Sequence, residues 1–152
     1  MPNIALFQPE IPPNTGNIIR LCANTGAMLH LIRPLGFTLD DTRLKRAGLD
    51  YHEFAKIRIY ENFTQFKENL KDKRLFSCST KGKICYSDVQ FQTDDVFLFG
   101  PETRGLPKEI LNECTSNRIL RIPMLPHSRS INLSNAVAII LFEALRQGNF
   151  NF

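Results

Sequence analysis

Val96-Phe97-Leu98-Phe99 runs directly into Gly100-Pro101-Glu102-Thr103-Arg104-Gly105. The apolar run predicts a buried strand. Gly-Pro at its end, with a second glycine five residues after the first, predicts a rigid turn where backbone approaches a ligand closely. Glu102 sets a carboxylate at its tip. Buried strand, tight loop and polar tip are the parts from which open α/β sheets build small-molecule sites at the carboxyl ends of strands. Read alone, the segment equally fits an ordinary turn between a strand and a helix. Two other segments concentrate polar groups. Asn14-Thr15-Gly16-Asn17-Ile18-Ile19-Arg20 puts an amide at a predicted helix start and a guanidinium six residues on. Arg121-Ile122-Pro123-Met124 is followed by Ser128-Arg129-Ser130-Ile131-Asn132-Leu133-Ser134-Asn135-Ala136. A plain role fits each on its own: Asn14 as a helix cap, Arg20 as an exposed helix residue, Ser134 and Asn135 as helix-start residues.

The elements that must position these groups follow from periodicity and punctuation. Strands are predicted at Ile4–Phe7, Leu29–Ile32, Lys56–Tyr60, Leu75–Cys78, Val96–Phe99 and Arg118–Ile122. A first helix, capped by Asn14 or Thr15, runs to about Thr25 and stops at Gly26. Asp40-Asp41 caps a short basic helix through about Ala47. Asn62 opens a helix with Phe63, Phe66 and Leu70 on one face, Leu106–Asn112 is a short helix, and Leu133–Gln147 closes the chain. Alternating strands and helices predict an α/β fold, a mainly parallel sheet with flanking helices. Ala136 to Phe142 holds no polar residue over nearly two turns. A helix apolar all round is buried on every side, so the closing helix is either central or covered by a second copy. A homodimer is the expectation, with Ile140 as a position where a charge would split it.

The chain has 152 residues, enough for one domain with a real core. No linker, repeat or low-complexity tract divides it. A net charge of +4 permits a polyanionic partner without demanding one. The bases cluster at Arg43, Lys45 and Arg46, and at Lys71, Lys73, Arg74, Lys81 and Lys83. The second cluster reads as solvated surface; for the first, phosphate contact is an equal alternative. No secretory signal or membrane-length apolar run is visible, so a soluble cytoplasmic protein is expected. The four cysteines form no Cys-x-x-Cys pair and no metal-ligand spacing with histidine, which excludes zinc and disulfide frameworks from the expected classes. Cys22 and Cys78 read as small buried side chains. His30 reads as a satisfied core residue, and His52 and His127 as surface or loop residues.

The three ordered segments together resemble the SPOUT (SpoU–TrmD) class of RNA methyltransferases, in particular the SpoU branch, which methylates ribose 2′-hydroxyls. The likeness runs along essentially the whole chain. Pro9-Glu10-Ile11-Pro12-Pro13-Asn14-Thr15-Gly16-Asn17 and Gly48-Leu49-Asp50-Tyr51-His52-Glu53-Phe54 are similar to the minimal tRNA wobble-position 2′-O-methyltransferases, the TrmL or YibK group. The resemblance implies a deep trefoil knot in the C-terminal part of the fold, which physics alone gives no reason to propose. It also implies a homodimer with the active site near the interface, and S-adenosylmethionine as cofactor. By resemblance, backbone groups at Cys78, Gly100, Ile122 and Ser130 hold the cofactor; Ile122, Met124 and Leu133 can supply apolar walls, and Glu102 at the loop tip is a further candidate. The catalytic set is Asn14, Arg20, Glu102, Ser130 and Asn132, and Arg43, Lys45, Arg46 and Arg129 meet RNA phosphates.

The family assigns Arg20 to activating the ribose hydroxyl. A guanidinium almost never gives up its proton, so clamping a phosphate and orienting the hydroxyl is the physically easier role. Glu102 is expected to orient Arg20 or Asn14 from the facing loop, and Ser130 and Asn132 to hydrogen-bond the ribose or the cofactor carboxylate. Three positions depart from the family pattern: Phe142 replaces a usual Tyr, Ile131 a usual Leu or Met, and Leu145 a common aromatic. The function implied is methylation of C34 or U34 in the tRNA anticodon loop. Alternatives are a SPOUT enzyme for another RNA such as rRNA, or an RNA-binding module without catalysis. A nicotinamide dehydrogenase is a weak third, since no Gly-x-Gly-x-x-Gly follows the first strand.

Overall fold

A computed structural model describes residues 1–45, 51–54 and 56–152. Its strands are β1 (Asn3–Phe7), β2 (Met28–Ile32), β3 (Ile57–Tyr60), β4 (Leu75–Cys78), β5 (Ile84–Cys85), β6 (Val96–Phe99) and β7 (Ile119–Arg121). They form one sheet in the order β3-β2-β1-β6-β4-β7-β5, with every described pairing parallel. The mainly parallel α/β sheet expected from sequence is borne out. β5 was not foreseen; two residues are too few to show a period.

Alternation along β1 sorts the core into two layers. Ile4 and Leu6 join Ile18 and Cys22 of α1 (Pro12–Thr25) and Val137, Ile140 and Leu141 of α5 (Leu133–Gln147). Ala5 and Phe7 face the other way, onto Phe66 and Leu70 of α3 (Phe63–Leu70) and Leu111 of α4 (Lys108–Leu111). Phe66 is fully buried, a burial worth about 1.5–3 kcal/mol.

Local chemistry sets the helix ends. α1 begins at Pro12, three or four residues before the start that a cap at Asn14 or Thr15 implied, with extended Ile11 as its cap residue and proline in its first turn. Proline fits there because its φ is already helical and its missing N–H would have had no partner. Gly26, at φ 75°, ends the helix as expected. Asn62 caps α3, its side chain accepting from the Gln65 amide at 2.8 Å. α4 is shorter than expected, since Leu106 turns into the core and Pro107 stands at its cap. The basic helix α2 covers Thr42–Lys45; its expected end at Ala47, all of Arg46, and the side chains of Lys45 and His52 lie outside the described residues.

His30 on β2 is a satisfied core residue. Asn3 donates its amide Nδ2 to the carbonyls of Met1 and Asp94, both at 3.2 Å. Its Oδ1 therefore faces His30 and accepts from Nε2–H at 3.0 Å, leaving Nδ1 to accept from the Tyr60 hydroxyl at 2.9 Å. Burial, with smaller pushes from Lys73 and Arg58, lowers the imidazole pKa to about 4. His127 sits exposed in a loop at φ 62°.

α5 corrects one expectation. Ile140 is completely buried inside the protomer, so it is not the residue that would face a second copy. The apolar positions left outward are Phe142, 44% exposed, and half-buried Ala138 and Ile139. Among the described residues no helix is long and apolar enough to cross a membrane, and no cluster of side chains is arranged to hold a metal.

Candidate active site

Register explains how three distant segments meet. Cys78 at the end of β4 pairs with Phe99 at the end of β6 on one side and with Leu120 of β7 on the other. Gly100, Ile122 and the turn after Cys78 therefore leave the sheet side by side at its carboxyl edge. They open into a cavity of about 370 Å³, within the range of small-ligand sites. Of the residues singled out from sequence, Asn14, Cys78, Gly100 and Glu102 line it, as do Ile122, Met124, Ser130, Asn132 and Leu133.

Gly100 is required by a close approach. A Cβ there would lie 2.3 Å from the Leu106 nitrogen and 2.4 Å from the Gly105 carbonyl carbon. The loop after β6 folds straight back over Gly100, closed by the Gly105 amide donating to the Pro101 carbonyl at 2.8 Å.

Asn132 is the cap of α5. Its Oδ1 accepts from the Ser134 amide at 3.0 Å and hydroxyl at 2.7 Å, and from the Asn135 amide at 3.4 Å. That fixes its Nδ2 toward Asn14, whose Oδ1 accepts at 3.0 Å. Its side chain thus ties α1 to α5 from the cavity wall. Asn14, 7% exposed in the first turn of α1 directly after the two prolines, is left with its Nδ2 donors as the polar group it can offer.

Glu102 was expected to orient Arg20 or Asn14, but its carboxylate turns to the start of α1 instead. Its Oε2 accepts from the Glu10 amide at 2.7 Å and its Oε1 from the Ile11 amide at 3.1 Å. A carboxylate at the start of α1 is favoured by the helix dipole. Arg20 finds a different acid: its Nε lies 4.0 Å from Glu53 Oε2. Six helical residues separate Arg20 from Asn14, about 240° around the axis and about 9 Å along it, and Arg20 is not part of the cavity wall.

Arg129 is exposed in the loop before α5 and also off the wall. Arg43 is engaged within its own turn, its Nη2 on Asp41 Oδ2 at 2.9 Å and its Nε on Oδ1 at 3.2 Å. This pairing holds the Asp41 carboxyl below its ordinary pKa. Burial, reinforced by Cys114, raises the Cys78 pKa, so its thiol is a neutral wall group rather than a nucleophile.

Sequence reasoning missed part of the rim. Ile11, Lys81, Thr103 and Arg104 line the cavity. Lys81 had been assigned to solvated surface; the signal for it was its place in the turn immediately after β4. Together the site offers apolar walls, strand-end backbone, amide donors and a rim with charges of both signs, which suits a nucleoside-sized ligand bearing a polar tail.

The chain belongs to the SpoU rRNA Methylase family, whose model matches residues 1–142. It is 57% identical over 148 residues to a tRNA (cytidine(34)-2′-O)-methyltransferase of Methylovorus glucosotrophus, covering 97% of this chain and 96% of that one. A structure solved for insight into the 2-OH methylation of C/U34 on tRNA superposes with a TM-score of 0.92 at 45% identity, covering 98% and 97%. An AdoMet-bound rRNA methyltransferase from Sinorhizobium meliloti superposes at 0.83 with 28% identity, covering 95% of this chain but 56% of that one.

Proposed function

We propose that this chain methylates the ribose 2′-hydroxyl of the wobble nucleotide, C34 or U34, in the tRNA anticodon loop, with S-adenosylmethionine as donor. The observation that carries this reading is the convergence of the β4, β6 and β7 ends with Asn14 on one cavity of about 370 Å³. The 57% identity to a tRNA (cytidine(34)-2′-O)-methyltransferase over nearly the full length of both chains supports tRNA as the substrate. Ribosomal RNA is the second reading, favoured by the family description and by the Sinorhizobium meliloti structure. That relative is 28% identical and this chain covers 56% of it, so tRNA is preferred.

When bound, the donor supplies a methyl carbon already activated by its sulfonium, leaving the protein to bind, aim and prepare the acceptor. Strand-end backbone at Cys78, Gly100 and Ile122 holds the adenosyl part, with Ile122, Met124 and Leu133 as apolar walls and the Ser130 hydroxyl at the rim. Asn14 donates from Nδ2 to a ribose oxygen, held in place by Asn132. Glu102 shapes the cavity through the 10–11 amides. Arg20 clamps the nucleotide's phosphate, and the hydroxyl proton leaves through a phosphate oxygen or water. Orientation of this kind is worth up to about 7–11 kcal/mol.

Arg20 is not part of its own cavity's wall, and Phe142 leaves an apolar position of α5 exposed. Both support a homodimer through α1 and α5, with Arg20 of one copy serving the cavity of the other. Residues 1–152 act as one methyltransferase domain in the cytoplasm, with the segment after β7 threaded as a trefoil knot. Arg129, Lys45 and Arg46 contact RNA phosphates, and Arg43 joins them by exchanging Asp41 for a phosphate.

Incubating the protein with S-adenosylmethionine and either total tRNA or rRNA, followed by nucleoside mapping, tests the reading. A 2′-O-methyl group at position 34 is expected. Methylation confined to rRNA, or none in either pool, overturns it.

A further inference from the structure

Glu10 sits in the loop between β1 and α1, and the sequence gives it no role. In the structure it mirrors Glu102. Its Oε1 accepts from the Thr103 amide at 3.1 Å and the Thr103 hydroxyl at 2.7 Å, while Glu102 accepts from the amides of Glu10 and Ile11. Each of two loops, more than ninety positions apart in sequence, thus lends its backbone N–H groups to the other's carboxylate. Arg104 adds a strand to the tie, its Nη2 donating to Gln8 Oε1 at 3.3 Å. A third loop braces Glu10 from behind. The Gly36 amide donates to the Pro9 carbonyl at 2.9 Å, and a Cβ on Gly36 would meet the Glu10 Cα and carbonyl oxygen at 2.8 Å.

The tie is not remote from the chemistry. Ile11, Glu102, Thr103 and Arg104 all line the cavity, so the spacing between the start of α1 and the loop after β6 is the spacing between two of its walls. Both oxygens of Glu102 are spent on amides, and the N–H groups of residues 10, 11 and 103 are spent on carboxylates. None of these groups has to change partners for a ligand to enter. Hydrogen bonds to a carboxylate are among the stronger ones available. A wall set in place before binding spares the ligand the entropic cost of ordering it.

We propose that Glu10 is a positioning residue of this site: through Thr103 it closes a reciprocal carboxylate–amide clasp with Glu102 that preorganises the donor cavity. The Thr103 hydrogen bonds also hold the Glu10 carboxyl below its ordinary pKa, so it remains ionised and accepting at neutral pH. The proposal rests on the cavity being the methyl donor's site.

The test compares wild type, Glu10→Ala and Glu10→Gln in the full chain. Three quantities are read: amide hydrogen exchange of residues 100–106, calorimetric affinity for S-adenosylhomocysteine, and the KM for each substrate with kcat. Glu10→Ala is expected to raise exchange in 100–106 and weaken the nucleoside ligand about tenfold, the loss of roughly one charge-assisted hydrogen bond. The KM for tRNA should stay put. Glu10→Gln keeps an acceptor oxygen for Thr103 and should recover most of the loss. Unchanged exchange and affinity in Glu10→Ala overturn the proposal. So does equal damage in both variants with melting temperature falling in step, which marks a role in the fold alone. If the wild type binds no such ligand, the reading of the cavity fails, and the exchange of 100–106 still decides whether the clasp exists.

Discussion

Replacing Gly100 by alanine adds one methyl group at the point where the cavity loop doubles back. Its Cβ would lie 2.3 Å from the Leu106 nitrogen, 2.4 Å from the Gly105 carbonyl carbon and 3.0 Å from the Gly105 Cα. Favourable non-bonded separations begin near 3.5 Å, so the loop must move by roughly 1 Å. The obstructing atoms are backbone and cannot rotate aside. Overpacking of this kind costs about 1–3 kcal/mol, which for a chain of this size lowers the melting temperature by about 2–12 °C. The displaced segment includes Glu102, so its bonds to the Glu10 and Ile11 amides stretch, and misplacement by about 1 Å costs up to ~100-fold in rate. Gly105→Ala is the control. Nothing lies within 4 Å of its Cβ position, and its φ of +67° adds backbone strain of about 1–2 kcal/mol without crowding the cavity. Calorimetry with S-adenosylhomocysteine, thermal melts and a tRNA methylation assay should find Gly100→Ala impaired in all three. Gly105→Ala should be impaired mainly in melting. A Gly100→Ala protein that binds and turns over within twofold of wild type would refute the close-approach argument.

Arg20→Ala should abolish turnover while leaving nucleoside-ligand affinity within about twofold, because Arg20 is off the cavity wall; retained turnover in a steady-state assay rejects its role. Phe142→Glu should yield monomers by analytical ultracentrifugation, whereas Ile140→Glu, placing a charge at a fully buried position, should unfold the protein; a dimeric Phe142→Glu argues against the α5 interface. His30 makes stability depend on acid. Its pKa is about 4 when folded against 6.5 as the ordinary value, so between those values the unfolded chain binds more protons and stability falls as pH drops. The contribution is flat above pH 6.5 and reaches about 3 kcal/mol lost below pH 4. Urea melts across that window should show a steeper slope in wild type than in His30→Gln; equal slopes reject the assignment.

Much of this was legible in the chain because it is written in local patterns. The apolar runs at Ile4–Phe7 and Val96–Phe99 sit inside strands buried on both faces, and Asn62 and Gly26 mark helix ends through their own side-chain or backbone chemistry. The cavity's membership was legible for a related reason: strand ends at Cys78, Gly100 and Ile122 are visible as the points where apolar runs stop. What could not be read was partnership. Nothing local says that Glu102 takes two amides near residue 10, that Asn132 spends its amide on Asn14, or that Arg20 turns to Glu53. Those pairings depend on register and on how far α1 is rotated, which only the folded chain fixes. β5 escaped because an edge strand of two residues has no period, and Ile140 was misassigned because a uniformly apolar helix does not reveal which side is inward.

The strand order has a consequence for how the molecule comes into being. β6 lies between β1 and β4, so when the first ninety-odd residues have left the ribosome, β1 and β4 each present a bare edge with no neighbour yet made to fill it. The gap closes only when Val96–Phe99 is inserted into the middle of the layer, a late, long-range event of the sort that slows folding and exposes nascent chains to misassociation. The ligand-binding edge forms later still, since β7 and the start of α5 complete it. Premature termination anywhere before residue 130 therefore yields a chain without the pocket, and a truncation series followed by protease sensitivity should register both steps.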